Sequence, residues 1–97
     1  MLKVVGKTSE NKLVVGGLFE LFDTKGLPLT VSFALCQNKG FIPSIPTFID
    51  LALKAGWKDK TVLNRMKEAY QDSFGDKFWK QCEPRIKAYL DLKLNDT

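Results

Sequence analysis

Hydrophobic residues recur at helical spacing over most of the chain, and this pattern predicts a series of short helices. Residues 18–22 carry a first apolar stripe that ends at Gly26, and a second helix begins at Pro28 and ends near Gly40. Apolar residues cover nearly every face of this second helix, so we expect it to lie buried in the centre of the fold. Residues 41–43 predict a short extended connector, because a residue before proline avoids helical backbone angles.

The second half of the chain predicts three further helices. Two of them cover residues 46–55 and 59–74, and the last begins at Asp76. Asp59 and Asp76 are the expected N-caps, since a carboxylate accepts hydrogen bonds from the free amides of the first turn. Pro84 falls inside the last apolar pattern. Because proline removes a backbone hydrogen bond and clashes with the preceding turn, we expect it to kink or divide that helix.

Residues 2–15 permit two interpretations. Residues 2–5 and 12–15 are rich in valine and are separated by a polar, turn-forming segment, which predicts a short β-hairpin. The alternative is a helix that starts at Lys12, although its two central glycines would cost about 2 kcal/mol relative to alanine. The predicted fold is therefore mainly α, a single domain with a small bundle of four to five short helices. The first interpretation adds a short N-terminal β-hairpin to this bundle.

Composition narrows the possible functions only slightly. The 97 residues are 44% hydrophobic and 27% charged, with a net charge of +4, which is typical of a small, mildly basic globular protein. The apolar runs are short and interrupted by charges, so we expect no membrane span. The first residues lack the apolar core and cleavage site of a signal peptide, and we therefore expect a cytoplasmic protein.

The sequence gives little support for a catalytic site. The chain contains no histidine, which excludes Ser–His and Cys–His triads and removes the most common metal ligand in proteins. Cys36 and Cys82 lack metal-ligand spacing, and we expect two buried, reduced thiols. A disulfide that joins the second and last helices stays open as an alternative. We expect a non-catalytic protein that binds no metal and no cofactor.

The segment from Phe48 to Lys67 resembles the general helix-turn-helix pattern. Ala52 is the small residue that lets a second helix cross closely, and Gly56 lies in the turn four residues later. Apolar residues flank the turn on both sides. Arg65 departs from the pattern, since it stands where an aliphatic residue is expected.

The resemblance implies that the helix over residues 59–74 would read duplex DNA from the major groove. The side chains expected to reach base edges are Lys58, Lys60, Thr61 and Asn64. Those expected to contact phosphates are Arg65 and Lys67. The same helix also carries acidic residues, so its polar face has mixed charge. A pair of neighbouring helices in an ordinary bundle is the alternative interpretation of the same residues.

A protein-interaction or assembly module is the second functional hypothesis. The last helix interleaves basic and aromatic residues, and Phe78 and Trp79 are neighbours that cannot both point to the centre of one stripe. If Trp79 is the exposed one, it marks a surface for a protein partner or for self-association.

Overall fold

The computed structural model describes residues 2–95 and confirms a mainly α fold with five helices and a small N-terminal sheet. Three strands form the sheet: β1 Lys3–Lys7, β2 Leu13–Gly16 and β3 Ile42–Pro43. The helices are α1 Leu18–Lys25, α2 Leu29–Lys39, α3 Ile45–Lys54, α4 Asp59–Ser73 and α5 Asp76–Asn95. None of these five helices is both long and apolar enough to cross a membrane.

The N-terminal hairpin is confirmed, and the helix from Lys12 is wrong. β1 pairs with β2 in antiparallel fashion, with a bulge between Val4 and Gly6. The Thr8 amide donates a hydrogen bond to the Lys12 carbonyl across the turn, at 2.8 Å. Asn11 closes the turn with a φ of 66°, a left-handed conformation that asparagine tolerates better than most residues. The hairpin forms because two valine-rich runs flank a turn that local chemistry favours.

The predicted connector at residues 41–43 contains a third strand. Ile42 and Pro43 pair in parallel with Val14 and Val15 of β2. The Ser44 amide extends the contact by donating to the Val15 carbonyl at 2.8 Å. Proline has no amide hydrogen, which confines it to a sheet edge, and β3 is indeed an edge strand. This short strand fixes the start of α3 against the hairpin.

The central helix of the bundle is α4, and not α2. α4 packs against α2, α5 and α3, while α1 packs against α2 and α3. α2 buries Leu29, Phe33 and Cys36, but Val31 and Leu35 on its opposite face are exposed. The prediction that α2 lies buried on all sides is therefore wrong. α2 carries more apolar side chains than its two helical neighbours, α1 and α4, can cover.

Two expectations for α5 also change. The helix runs without a break through Pro84, so the proline does not divide it. Pro84 is exposed, while Cys82 and Ile86 on either side of it are buried. Burial of these two residues stabilises the continuous helix and offsets the cost of the proline, which removes a backbone hydrogen bond and clashes with the preceding turn. Asp76 is the first residue inside α5 and not its N-cap, so the predicted cap is wrong by one residue.

Asp50 joins α3 to α5. The Tyr89 hydroxyl donates a 2.7 Å hydrogen bond to its carboxylate, and the Lys93 ammonium lies 3.3 Å away. Sequence spacing favours an ion pair between Asp50 and Lys54, one turn further along the same helix. The structure places the partners of Asp50 on a different helix instead, and Lys54 is exposed.

Candidate nucleic-acid interface on the third and fourth helices

The turn between α3 and α4 has the hydrogen bonds of a Schellman motif. The Trp57 amide donates to the Ala52 carbonyl at 3.0 Å, and the Gly56 amide donates to the Leu53 carbonyl at 3.0 Å. Gly56 has a φ of 96°, a backbone conformation that side chains with a Cβ atom rarely adopt. The glycine in the predicted turn is thus required by the backbone, and the helix pair has a fixed geometry.

Trp57 anchors this pair to the rest of the core. Its ring meets Phe19 at 5.3 Å, Phe22 at 5.5 Å and Phe48 at 6.1 Å between centroids, in edge-to-face contacts. Ala52 is fully buried, as expected of the small residue in the first helix of such a pair. Aromatic contacts from α1 and α3 therefore fix the direction in which α4 leaves the turn.

Arg65 is held by contacts within the protein. Its guanidinium lies over the ring of Phe22 at 5.8 Å and over the ring of Trp57 at 6.0 Å. A planar guanidinium is attracted to the face of an aromatic ring, and its stem can cover apolar surface that an aliphatic side chain would otherwise cover. This contact explains how arginine occupies a position where the helix-turn-helix pattern expects an aliphatic residue. It also gives Arg65 a structural role in addition to the predicted phosphate contact.

The remaining predicted DNA-binding residues share the outer surface of α4 and its N-cap. Val62, Met66, Ala69 and Tyr70 point into the core, which leaves the opposite side of the helix to solvent. Over residues 2–95, no hydrogen bond or ion pair occupies the exposed side chains of Lys58, Lys60, Thr61, Asn64 and Lys67. We call these five residues the α4 face.

Charge is unevenly distributed along α4. The first part carries Lys58, Lys60 and Lys67 with a single carboxylate at Asp59. Glu68 and the carboxylate that follows it one turn later make the second part acidic. The basic part is the part nearest the turn, which is where a recognition helix contacts bases.

The amino end of α4 adds a further positive contribution. Lys58 is the N-cap, with extended backbone angles, and no side chain caps the free amides of the first turn. The predicted cap, Asp59, is the first residue inside the helix. Uncapped amides and the helix dipole together favour an anion at this end.

The C-terminal end of α4 meets the start of α5 at Asp76. The Gln71 amide donates a 2.7 Å hydrogen bond to the Asp76 carboxylate, and the Lys80 ammonium lies 3.1 Å from it. The hydrogen bond from Gln71 is the largest cause that lowers the pKa of Asp76, followed by Lys80, and the charge of Lys67 adds to the effect. Lys67 is therefore near a carboxylate on α5 although no ion pair forms between them.

Trp79 does not form the exposed surface that was expected of it. The side chain is only 2% exposed and lies in the core with Cys82, Ile86 and Leu90. Phe78 is the neighbour at the edge of the stripe, where it stacks on Phe74 at 4.9 Å between centroids. The prediction of an exposed, protein-binding Trp79 is therefore wrong, because the register of α5 places the indole in the core.

Cys36 and Cys82 are free, buried thiols, and the structure has no disulfide between α2 and α5. Burial raises the pKa of Cys36 to about 11 from an ordinary value of 9.0. Burial also raises the pKa of Cys82, and the nearby charge of Arg85 partly opposes the shift. Both thiols are therefore poor nucleophiles at neutral pH. In the described part of the chain, no three cysteine or carboxylate side chains come together as metal ligands.

Comparisons of the chain with protein-family models, with curated proteins and with solved structures give no match.

Proposed function

We propose that the protein binds duplex DNA through the α4 face. The observation that carries the proposal is the α4 face itself: three lysines, a threonine and an asparagine exposed on a helix whose direction is fixed by the core. None of them has a polar partner in residues 2–95, so each is available to a ligand. Asn64 and Lys60 lie one turn apart, where both can reach base edges in the major groove.

The expected salt dependence follows from the number of predicted phosphate contacts. Each phosphate contact to duplex DNA changes the logarithm of the binding constant by about 0.9 per logarithm of salt concentration. If Arg65 and Lys67 each neutralise one phosphate, the slope is about −1.8. Affinity should then fall by about 12-fold between about 50 and 200 mM salt.

The test is a fluorescence anisotropy titration of a labelled duplex with the full-length protein. Lys67→Ala should weaken binding to every sequence and reduce the salt slope by about 0.9. Lys60→Ala combined with Asn64→Ala should instead reduce discrimination between sequences. Lys7→Ala is the matched control, since it removes an exposed lysine from β1, outside the α4 face. Absence of binding at low salt, or an equal loss in the Lys7→Ala variant, would contradict the proposal.

A protein partner or self-association is the second candidate function. Trp79 does not support it, but a surface depression between the hairpin and α5 does, which is lined by Ile42, Cys82 and Arg85. If this function replaces DNA binding, the α4 face variants should bind the partner like the wild-type protein.

A further inference from the structure

A second surface of the protein has the features of a binding groove. Three depressions lie side by side between the hairpin and β3 on one side and α5 on the other, and Ile42 contributes to all three. The middle one, of about 440 Å³, shares Lys12 and Phe78 with one neighbour of about 190 Å³. It shares Thr8 and Arg85 with the other neighbour, of about 350 Å³. We call this continuous surface the Ile42 groove.

The length of the Ile42 groove suits a short piece of extended polypeptide. Along α5 it reaches from Phe78 to Tyr89. At a helical rise of about 1.5 Å per residue, this stretch is about 16 Å long. An extended chain advances about 3.3–3.6 Å per residue, so about five residues span the groove. Alternate side chains of an extended chain point to the same side, which gives about three side chains that face the protein.

The chemistry of the groove changes along its length. One end is lined by Phe41, Phe74 and Phe78 together with Lys12 and Gln37, and its exposed surface is more polar than apolar. The other end is lined by apolar residues of β3 and the start of α3, including Pro43 and Ile45, and its exposed surface is mainly apolar. The end at β3 and α3 is therefore suited to an apolar side chain.

The middle of the groove exposes polar and apolar surface in equal measure and carries more positive than negative charge. Lys12 and Arg85 line it together with a single carboxylate, that of Glu10 on the hairpin turn. No ion pair within the described chain engages either cation. The guanidinium of Arg85 lies close enough to the Cys82 thiol to lower its pKa, which places this charge beside the floor of the groove.

We propose that the Ile42 groove binds an extended segment of a partner protein, in which an acidic residue and an apolar residue stand at alternate positions. The acidic side chain meets Arg85 and Lys12, and the apolar side chain fills the end lined by β3 and the start of α3. This surface is separate from the α4 face, so the proposal holds whether or not the protein binds DNA.

The experiment is a selection of random displayed peptides on the full-length protein, followed by anisotropy measurements with the enriched peptides. We expect enrichment of sequences with Asp or Glu two residues away from an apolar residue. Arg85→Glu should weaken an enriched peptide at least about tenfold, or about 1.4 kcal/mol. A peptide whose acidic residue is replaced by lysine should bind the Arg85→Glu variant better than the original peptide does.

The matched control is Lys87→Glu, which makes the same charge change on the same helix. Lys87 does not line the groove and instead pairs with Glu83 at 3.6 Å. This variant should bind the enriched peptides like the wild-type protein. Both substituted side chains are exposed, and circular dichroism checks that each variant is folded.

Four results would overturn the proposal. They are a selection without enrichment, enriched peptides without the acidic residue, equal affinity for the Arg85→Glu variant, and an equal loss in the Lys87→Glu variant. If the selection is empty while Arg85→Glu weakens binding of duplex DNA, the groove is a nucleic-acid surface and the proposal is wrong.

Discussion

Replacing Tyr70 with phenylalanine should stabilise the protein. Tyr70 is a fully buried residue of α4, and its hydroxyl is the one buried side-chain polar atom of the described residues without a hydrogen-bond partner. Its ring packs against Phe33 at 4.9 Å and Phe78 at 5.8 Å between centroids. Burial is the main reason that the pKa of Tyr70 lies far above its ordinary value, and the charges of the Cys36 and Cys82 thiolates add to it.

The size of the effect follows from two opposing contributions. An unpaired hydroxyl in an apolar environment costs about 1–3 kcal/mol relative to water. Removing the oxygen leaves a void of about 10–15 Å³, which costs about 0.3 kcal/mol at about 24 cal/mol per Å³. The Tyr70→Phe variant should therefore gain about 1–2 kcal/mol in the free energy of unfolding. For a domain of this size, that gain corresponds to a melting temperature about 5–10 °C higher.

The assay is denaturant unfolding followed by circular dichroism, with Tyr89→Phe as the matched control. The Tyr89 hydroxyl donates a hydrogen bond to Asp50, so its removal should leave stability unchanged or lower it by up to about 1 kcal/mol. A Tyr70→Phe variant that is no more stable than the wild-type protein would refute the reasoning. It would show that the Tyr70 hydroxyl has a partner in the folded protein.

Three further predictions concern the turn, the thiols and the start of α5. Gly56→Ala should destabilise the protein by about 1–2 kcal/mol in denaturant unfolding because of its positive φ, whereas Gly6→Ala, with open space around it, should have little effect. Because the pKa of Cys36 is higher in the folded than in the unfolded chain, stability should be complete below about pH 9 and fall toward pH 11, by up to about 1.4 kcal/mol per pH unit. Cys36→Ala should remove that part of the slope, and an unchanged slope would contradict the assignment. Gln71→Ala should raise the pKa of Asp76 toward its ordinary value in an NMR titration, and an unshifted pKa would show that the hydrogen bond is not its cause.

Local chemistry explains why most of the helices and the hairpin could be predicted. The valine-rich runs and the polar turn of the hairpin act over a few residues, and so does the glycine that ends α3. Gly56 can adopt the left-handed conformation of this turn at little cost, whatever the rest of the chain does. β3 could not be predicted in the same way, because Ile42 and Pro43 become a strand only through their pairing with β2. An extended connector and a two-residue strand have the same local sequence.

The side-chain partners depend on tertiary contacts and were harder to predict. From the sequence, Arg65 was expected only to contact phosphate. In the folded chain its guanidinium also lies over the ring of Phe22 from α1. Asp50 has a suitable lysine one turn away, yet it pairs with residues of α5. The choice between Phe78 and Trp79 as the buried residue depends on the register of α5 against α4. The helical periodicity of the sequence does not decide which of these two neighbouring residues faces the core.

The most direct test of the proposed function is an NMR titration of isotope-labelled protein with duplex DNA at low salt. The account predicts that the largest amide shifts lie in residues 58–67, where the α4 face and the uncapped helix end meet the ligand. Shifts in β1 and around Ile42 should stay small. Largest shifts in β1 or the Ile42 groove, with residues 58–67 unchanged, would contradict the claim that α4 reads DNA.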